Sequence, residues 1–171
     1  MPTERRPSAG PELAESWHCA DPAPTVSSPA AKPWIQRQPG RTMQPMSELA
    51  VIAAGGAIGA VGRYSLSLLV VRRLGAESHQ GTLLVNILGC FFLGALLSYI
   101  EQAEGFSPRL QLFLATGVLG AFTTFSTFGA ETVGLVRAGQ WTSALGHVGL
   151  NVIVGLAAVM LGANMANRFA N

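Results

Sequence analysis

From Met46 onward the sequence predicts an all-α integral membrane protein with four transmembrane helices. Three observations carry that expectation. Apolar residues form four blocks, 49–71, 81–100, 110–136 and 141–165, each matching or exceeding the ~20 residues with which a helix crosses a hydrocarbon core about 30 Å thick. The connectors RRLGAESHQ, EQAEGFSPR and RAGQ are short and hold most of the charges, so successive helices run antiparallel. Finally, residues 46–171 carry eleven charged side chains in 126 positions, too few to give a soluble bundle a polar skin. Four segments without a polar stripe would leave such a bundle nothing to face water with.

Residues 1–45 are of another kind. They hold nine of the ten prolines and no apolar periodicity, so they bury too little surface to offset the entropy of ordering. The expectation is a disordered leader over 1–45 and a membrane domain over 46–171. No apolar run of signal-peptide length is present, and a transit peptide would be richer in Arg and poorer in acids. Met43 and Met46 stand just before the apolar sequence, so the leader is either a genuine extension or an upstream misreading of the start. The net charge of +2 supplies no basic face for nucleic acid. Cys19 and Cys90 make neither a metal-ligand spacing nor a disulfide framework.

Segment one repeats Gly55, Gly59 and Gly62 at helical spacing and carries Arg63 near its middle. Small residues let membrane helices approach closely. A charge at that depth must face the bundle or a water-filled vestibule, or else snorkel from near the helix end; Glu131 is the acid available as its partner. Early in segment two stands Asn86, whose neutral amide offers two N–H donors, either for an interhelical hydrogen bond or for a ligand.

Segment three, at 27 residues, is longer than a straight span requires. Its centre, GVLGAFTTFSTFGAE, is crowded with Gly, Ser and Thr, which weaken a helix or bond their own backbone. The expectation is an interrupted third helix whose unwound backbone lines a cavity or interface; a kink or a long tilted helix is the alternative. Thr123, Thr124, Ser126 and Thr127 interleave there with Phe122, Phe125 and Phe128. Ring edges are electropositive, so the string either packs a core or offers an anion weak coordination that still releases it. On segment four, His147 and Asn151 are four apart and share a face, and Gly146/Gly149 and Gly155/Gly162 again suggest tight packing.

Topology bias is almost nil. Arg37, Arg41, Arg109 and Arg168 would share one side, and Arg72, Arg73 and Arg137 the other, a balance that lets the chain insert both ways. Two oppositely inserted copies could pair as an antiparallel, dual-topology dimer.

GGAIGAVGRY, GTLLVNILGCFFLG and GVLGAFTTFSTFGAE, in this order and spacing, resemble the bacterial fluoride channels of the Fluc/CrcB family over residues 47 to about 165. The resemblance implies a passive, selective channel of the cell (inner) membrane that exports cytoplasmic fluoride. It implies an antiparallel homodimer in membrane lipid with two pores and a structural Na+ at the dimer axis. By matching motifs, Asn86 would donate to fluoride, Phe125 and Phe128 would turn ring edges to it, and Ser126 and Thr127 would continue a polar track. Carbonyls of Gly120 and Thr123 would hold the sodium, and Arg63 matches the family's segment-one arginine. Segment four departs from the pattern: His147 and Asn151 stand where Tyr and Ser are usual, and Gly155 is bare. A titratable His147 implies pH-sensitive flux.

A small four-helix exporter of cationic drugs is the competing class, but it would want a carboxylate mid-span in segment one, where this chain has Arg63. A non-transporting assembly factor would tolerate the glycines and give no reason for Asn86 beside the Thr/Phe string. No GxxxxGK loop, paired carboxylates or Ser/His/Asp set points to ATP use or to an enzyme.

Overall fold

The computed structural model describes residues 45–103 and 105–170; the expected leader lies outside the described residues but for Pro45. The elements are α1 (Pro45–Leu74), α2 (Ser78–Gln102), α3 (Pro108–Gln111), a π-helical stretch (Leu112–Leu119), α4 (Gly120–Phe122), α5 (Phe125–Arg137) and α6 (Trp141–Ala170). Four spans are long and apolar enough to cross a membrane: Met46–Arg73, Ser78–Gln102, Pro108–Arg137 and Trp141–Phe169. The tight corners after α1 and α5 use Gly75 (φ 61°) and Gly139 (φ 73°), where a Cβ would be strained.

Backbone-to-backbone approach holds the bundle, more than interlocking large side chains. Val85 is the one large side chain fully buried among the described residues, while Leu49, Val61, Leu145, Ile153 and Phe169 lie on the outside, as an acyl-chain solvent permits. The π-helical stretch lies along α1. A Cβ on Gly55 would stand 2.5 Å from the Phe113 carbonyl oxygen, one on Gly59 would overlap the Val118 carbonyl, and one on Gly117 would stand 3.0 Å from the Gly55 Cα. Gly94 of α2 and Gly162 of α6 do the same for the other main seam: a methyl on Gly94 would overlap the Val159 carbonyl and one on Gly162 the Phe91 carbonyl. Gly146 and Gly149 do not share this role, since a Cβ on either meets nothing within 4 Å. Their spacing is right for packing, but in a single chain their side of α6 has no neighbour.

The third span changes geometry twice. Its start opens on Pro108 at the first helical turn, where the missing N–H costs nothing. The Gly120 amide then reaches back to the Ala115 carbonyl, five residues away, the mark of a π turn. Helical dihedrals stop at Phe122: Thr123 (φ −78°, ψ 156°) and Thr124 (φ −148°, ψ 115°) are extended. The Thr124 hydroxyl then caps α5 by accepting from the Thr127 amide at 3.2 Å, the role that Thr fills at a helix start.

Candidate functional site

The extended pair Thr123–Thr124 leaves backbone groups for which a helix would have provided partners, and a side chain of α2 takes them. Asn86 Oδ1 accepts from the Thr124 amide at 2.9 Å, and Asn86 Nδ2 lies 3.3 Å from the Thr124 carbonyl. One asparagine thus replaces the i→i−4 bond that the Thr124 amide would have made to the Gly120 carbonyl. The Thr127 amide, which would have served the Thr123 carbonyl, goes to Thr124 Oγ1 instead. Both redirected donors relieve carbonyls of their helical bonds, at Gly120 and at Thr123. Thr123 turns its methyl onto Gly89 of α2, where a Cβ would overlap it, and its hydroxyl donates to the Leu119 carbonyl at 3.2 Å.

From Asn86 the polar contacts run into α6. Asn86 Nδ2 donates to Asn151 Oδ1 at 2.9 Å. Asn151 Nδ2 donates to the His147 carbonyl at 2.9 Å and lies 3.3 Å from His147 Nδ1. The line from the Thr124 amide to the His147 ring is therefore continuous across α2, α5 and α6. His147 is 2 % exposed, and its Nε2 stands 3.7 Å from Glu131 Oε2, beyond hydrogen-bond reach. Both atoms are buried without a hydrogen-bond partner. His79, at the start of α2, meets the His147 ring edge-on with centroids 5.4 Å apart, and its Nδ1 is 3.2 Å from Glu77 Oε2.

The aromatic residues lie beside this line. Phe128 has its ring 5.2 Å from that of His147 and 5.5 Å from that of Phe125. Phe125 is 83 % exposed, so in one chain its ring projects from the bundle and only its Phe128 side is covered. Ser126 is exposed and Thr127 half-buried; both hydroxyls stand within reach of Thr124 Oγ1, at 3.3 Å and 3.0 Å.

Of the residues singled out in the sequence, Asn86, Phe125, Ser126, Thr127, Phe128, His147 and Asn151 form one contiguous group, with Gly120 and Thr123 at its edge. Arg63 is not shown bonded to that group. The expected Arg63–Glu131 pair does not form: among the described residues the close acid–base contacts are the acid–imidazole ones of His79 with Glu77 and His147 with Glu131, and Arg63 Nε is buried without a hydrogen-bond partner. Glu131 instead lies two helical turns beyond Thr124 and faces α6. Sequence reasoning passed over Glu77 and His79, which sit in a connector outside any motif. Their one signal was an i, i+2 acid–imidazole pair at the mouth of segment two.

Residues 50–163 match the family model described as CrcB-like protein, Camphor Resistance (CrcB). The chain is 43 % identical over 122 residues to a fluoride-specific ion channel FluC of Dehalococcoides mccartyi, an overlap covering 71 % of this chain and 94 % of that one. It is 41 % identical over 124 residues to a protein of the same name from Chloroflexus aurantiacus, covering 72 % and 98 %. A third, from Sorangium cellulosum, is 43 % identical over 117 residues, covering 68 % and 92 %.

Proposed function

The chain belongs to the CrcB family, a multi-pass membrane protein with four spans, and from that premise we propose that it is a passive fluoride channel whose ion path follows the Asn86–Phe125–Phe128 group. One observation carries the reading: a neutral amide on α2 is tied to extended backbone at Thr124 beside a tilted pair of phenyl rings. Fluoride gives up tightly bound water only to donors that replace it. Amide and hydroxyl donors from Asn86, Ser126 and Thr127 supply hydrogen bonds without the trap of a fixed cation, and phenyl edges supply a weak positive rim. His147 and Asn151 continue the path toward the Glu77–His79 end. Driven by a negative-inside potential, such a channel in the cell membrane lowers cytoplasmic fluoride without spending ATP.

The exposed Phe125 ring supports a paired assembly, because a ring edge can steer an ion only where a second surface closes the path around it. The near-even distribution of arginines supports an antiparallel, dual-topology homodimer in lipid with two pores. The break in the third span supports a shared Na+ site at the dimer axis. The carbonyls of Gly120 and Thr123, relieved of their helical donors by Asn86 and Thr124, are hard oxygen ligands that suit such a cation. When bound, sodium would supply a positive charge that neutralises converging carbonyl dipoles and ties two copies together. Arg63, half-buried on α1, serves as a structural or vestibule cation. The cationic-drug exporter finds no support in α1, whose described acid, Glu48, lies in the first turn.

The test is fluoride efflux from liposomes containing the purified protein, followed by electrode, with chloride as the comparison. Rapid fluoride efflux with chloride retained is the expected outcome; vesicles that hold both ions defeat the proposal.

A further inference from the structure

We propose that His147 is a positioning residue for the anion site: its protonation turns the Asn151 amide and so releases the Asn86 amide to fluoride. This rests on the channel reading above and adds its control.

Both ends of the amide chain have a fixed sense. The Thr124 N–H can only donate, so the Asn86 atom that meets it at 2.9 Å is the oxygen, and the Asn86 nitrogen points to Asn151 Oδ1. The His147 carbonyl can only accept, so the Asn151 atom that meets it is the nitrogen. Backbone groups thus lock the two side-chain amides head to tail, which leaves no freedom to exchange their O and N atoms. The same Asn151 nitrogen lies 3.3 Å from His147 Nδ1 and has only hydrogens to offer. Nδ1 is therefore the acceptor, and the neutral ring carries its proton on Nε2, directed at Glu131 Oε2.

A second proton has one place to go, Nδ1, where it would confront the Asn151 NH2 donor to donor. A half-turn of that amide resolves the conflict. Asn151 Oδ1 then accepts from Nδ1–H, at the expense of the bond to the His147 carbonyl. A bond to a charged donor is roughly twice as strong as a neutral one, so it offsets the two neutral bonds that the turn gives up, to the His147 carbonyl and from Asn86, and an anion that accepts from the freed donors tips the balance. Its consequence falls on Asn86, which loses the Oδ1 atom it was donating to and faces a second NH2 group. Asn86 cannot turn away, because Thr124 still holds its oxygen. Two neutral donors then converge with no acceptor between them, and an anion supplies one.

The surroundings suit a group that gains charge. α6 packs against α2 and α5. From α2 comes His79, with Glu77 behind it at the helix start; from α5 comes Glu131. α6 itself carries no charge before Arg168. A cavity of about 260 Å³ lined by Glu77, His79, Glu131 and Leu135 reaches the Glu131 carboxylate, which stands 3.7 Å from His147 Nε2 and is in place to pass a proton inward and to balance an imidazolium.

The experiment measures fluoride efflux from proteoliposomes at sub-saturating fluoride between about pH 8 and about pH 5, the range over which histidines change charge, with the HF leak of protein-free vesicles subtracted. The wild-type rate should rise at least about tenfold toward the acid end, the low end of what one added hydrogen bond to a charged group is worth. His147→Phe and Asn151→Leu should lose that rise, whatever their absolute rates, and Glu131→Gln should weaken it. A flat wild-type profile overturns the proposal, as does an acid response that survives either His147→Phe or Asn151→Leu. Should His147→Phe fail to fold, the wild-type profile and Asn151→Leu still decide. Vesicles that pass no fluoride at any pH overturn the channel reading and this proposal with it, whereas fluoride flux indifferent to pH overturns this proposal alone.

Discussion

The two halves of the third span share one stretch of chain and differ in almost everything that holds them. Upstream of Thr123, the π-helical stretch is pressed onto α1 through Gly55, Gly59 and Gly117, so closely that a single methyl would overlap backbone. Downstream, α5 presents Gly129 and Gly134 to open space and projects Phe125 out of the bundle. The first half is fixed by close approach, and its sequence constraint is the absence of side chains. The second half is held by side chains, through the Asn86–Thr124 contact at its start and through Phe128 and Glu131 against His147 of α6, and its constraint is the chemistry of those side chains. A scaffold and a working face have been joined at two extended residues.

Substitutions should separate the two halves sharply. The largest effect belongs upstream: Gly59→Leu drives a side chain into the Val118 carbonyl, and overpacking against backbone costs about 3 kcal/mol or more. Monodisperse protein should vanish from detergent extracts; recovery at wild-type yield would show that the α1 seam is looser than described. Next comes the joint itself. Asn86→Leu strips the Thr124 amide of its acceptor, a loss of about 1–3 kcal/mol for a buried group, so thermal stability and fluoride flux should fall together. Stability unchanged would mean that Asn86 is not what holds the break.

On the working face the two readouts should part. Phe125→Ile keeps apolar bulk but removes the ring edge, and flux should drop at least about tenfold, or ~1.4 kcal/mol in barrier, with thermal stability and the assembly proposed above intact. Normal flux would remove Phe125 from the ion path. The smallest effect is Gly134→Ala, which meets nothing within 4 Å and should change thermal stability by no more than about 0.5 kcal/mol. A clear loss there would mean that a partner surface already occupies that side.

Much of this architecture could be read from the residues because bilayers impose a coarse rule: length and apolarity locate a span, and polar connectors separate one from the next. The four blocks 49–71, 81–100, 110–136 and 141–165 all fall inside the four spans found. Asn86 and the Thr/Phe string were visible for the opposite reason, as polar groups that lipid does not explain. What stayed hidden depends on partners distant in sequence. Gly55 and Gly146 look alike as letters, yet one is pressed against backbone and the other meets open space, because crowding is decided by the neighbouring helix. Arg63 and Glu131 are opposite charges in the first and third segments, yet Glu131 turns to His147. The π-helical stretch left no mark, since Leu112–Leu119 is as apolar as any span and its wider turn reflects docking on α1.

That wider turn has a bearing on how the chain tolerates change in length. A π turn takes up one more residue than an α turn over nearly the same distance, so the run from Leu112 to Leu119 stores slack inside a span that otherwise has none. Removal of one residue there could be absorbed by rewinding, with both ends of the third span kept near their depths in the bilayer. Removal of one residue between Phe125 and Ala130 would instead swing every later side chain around the helix axis, and Glu131 would no longer meet the imidazole.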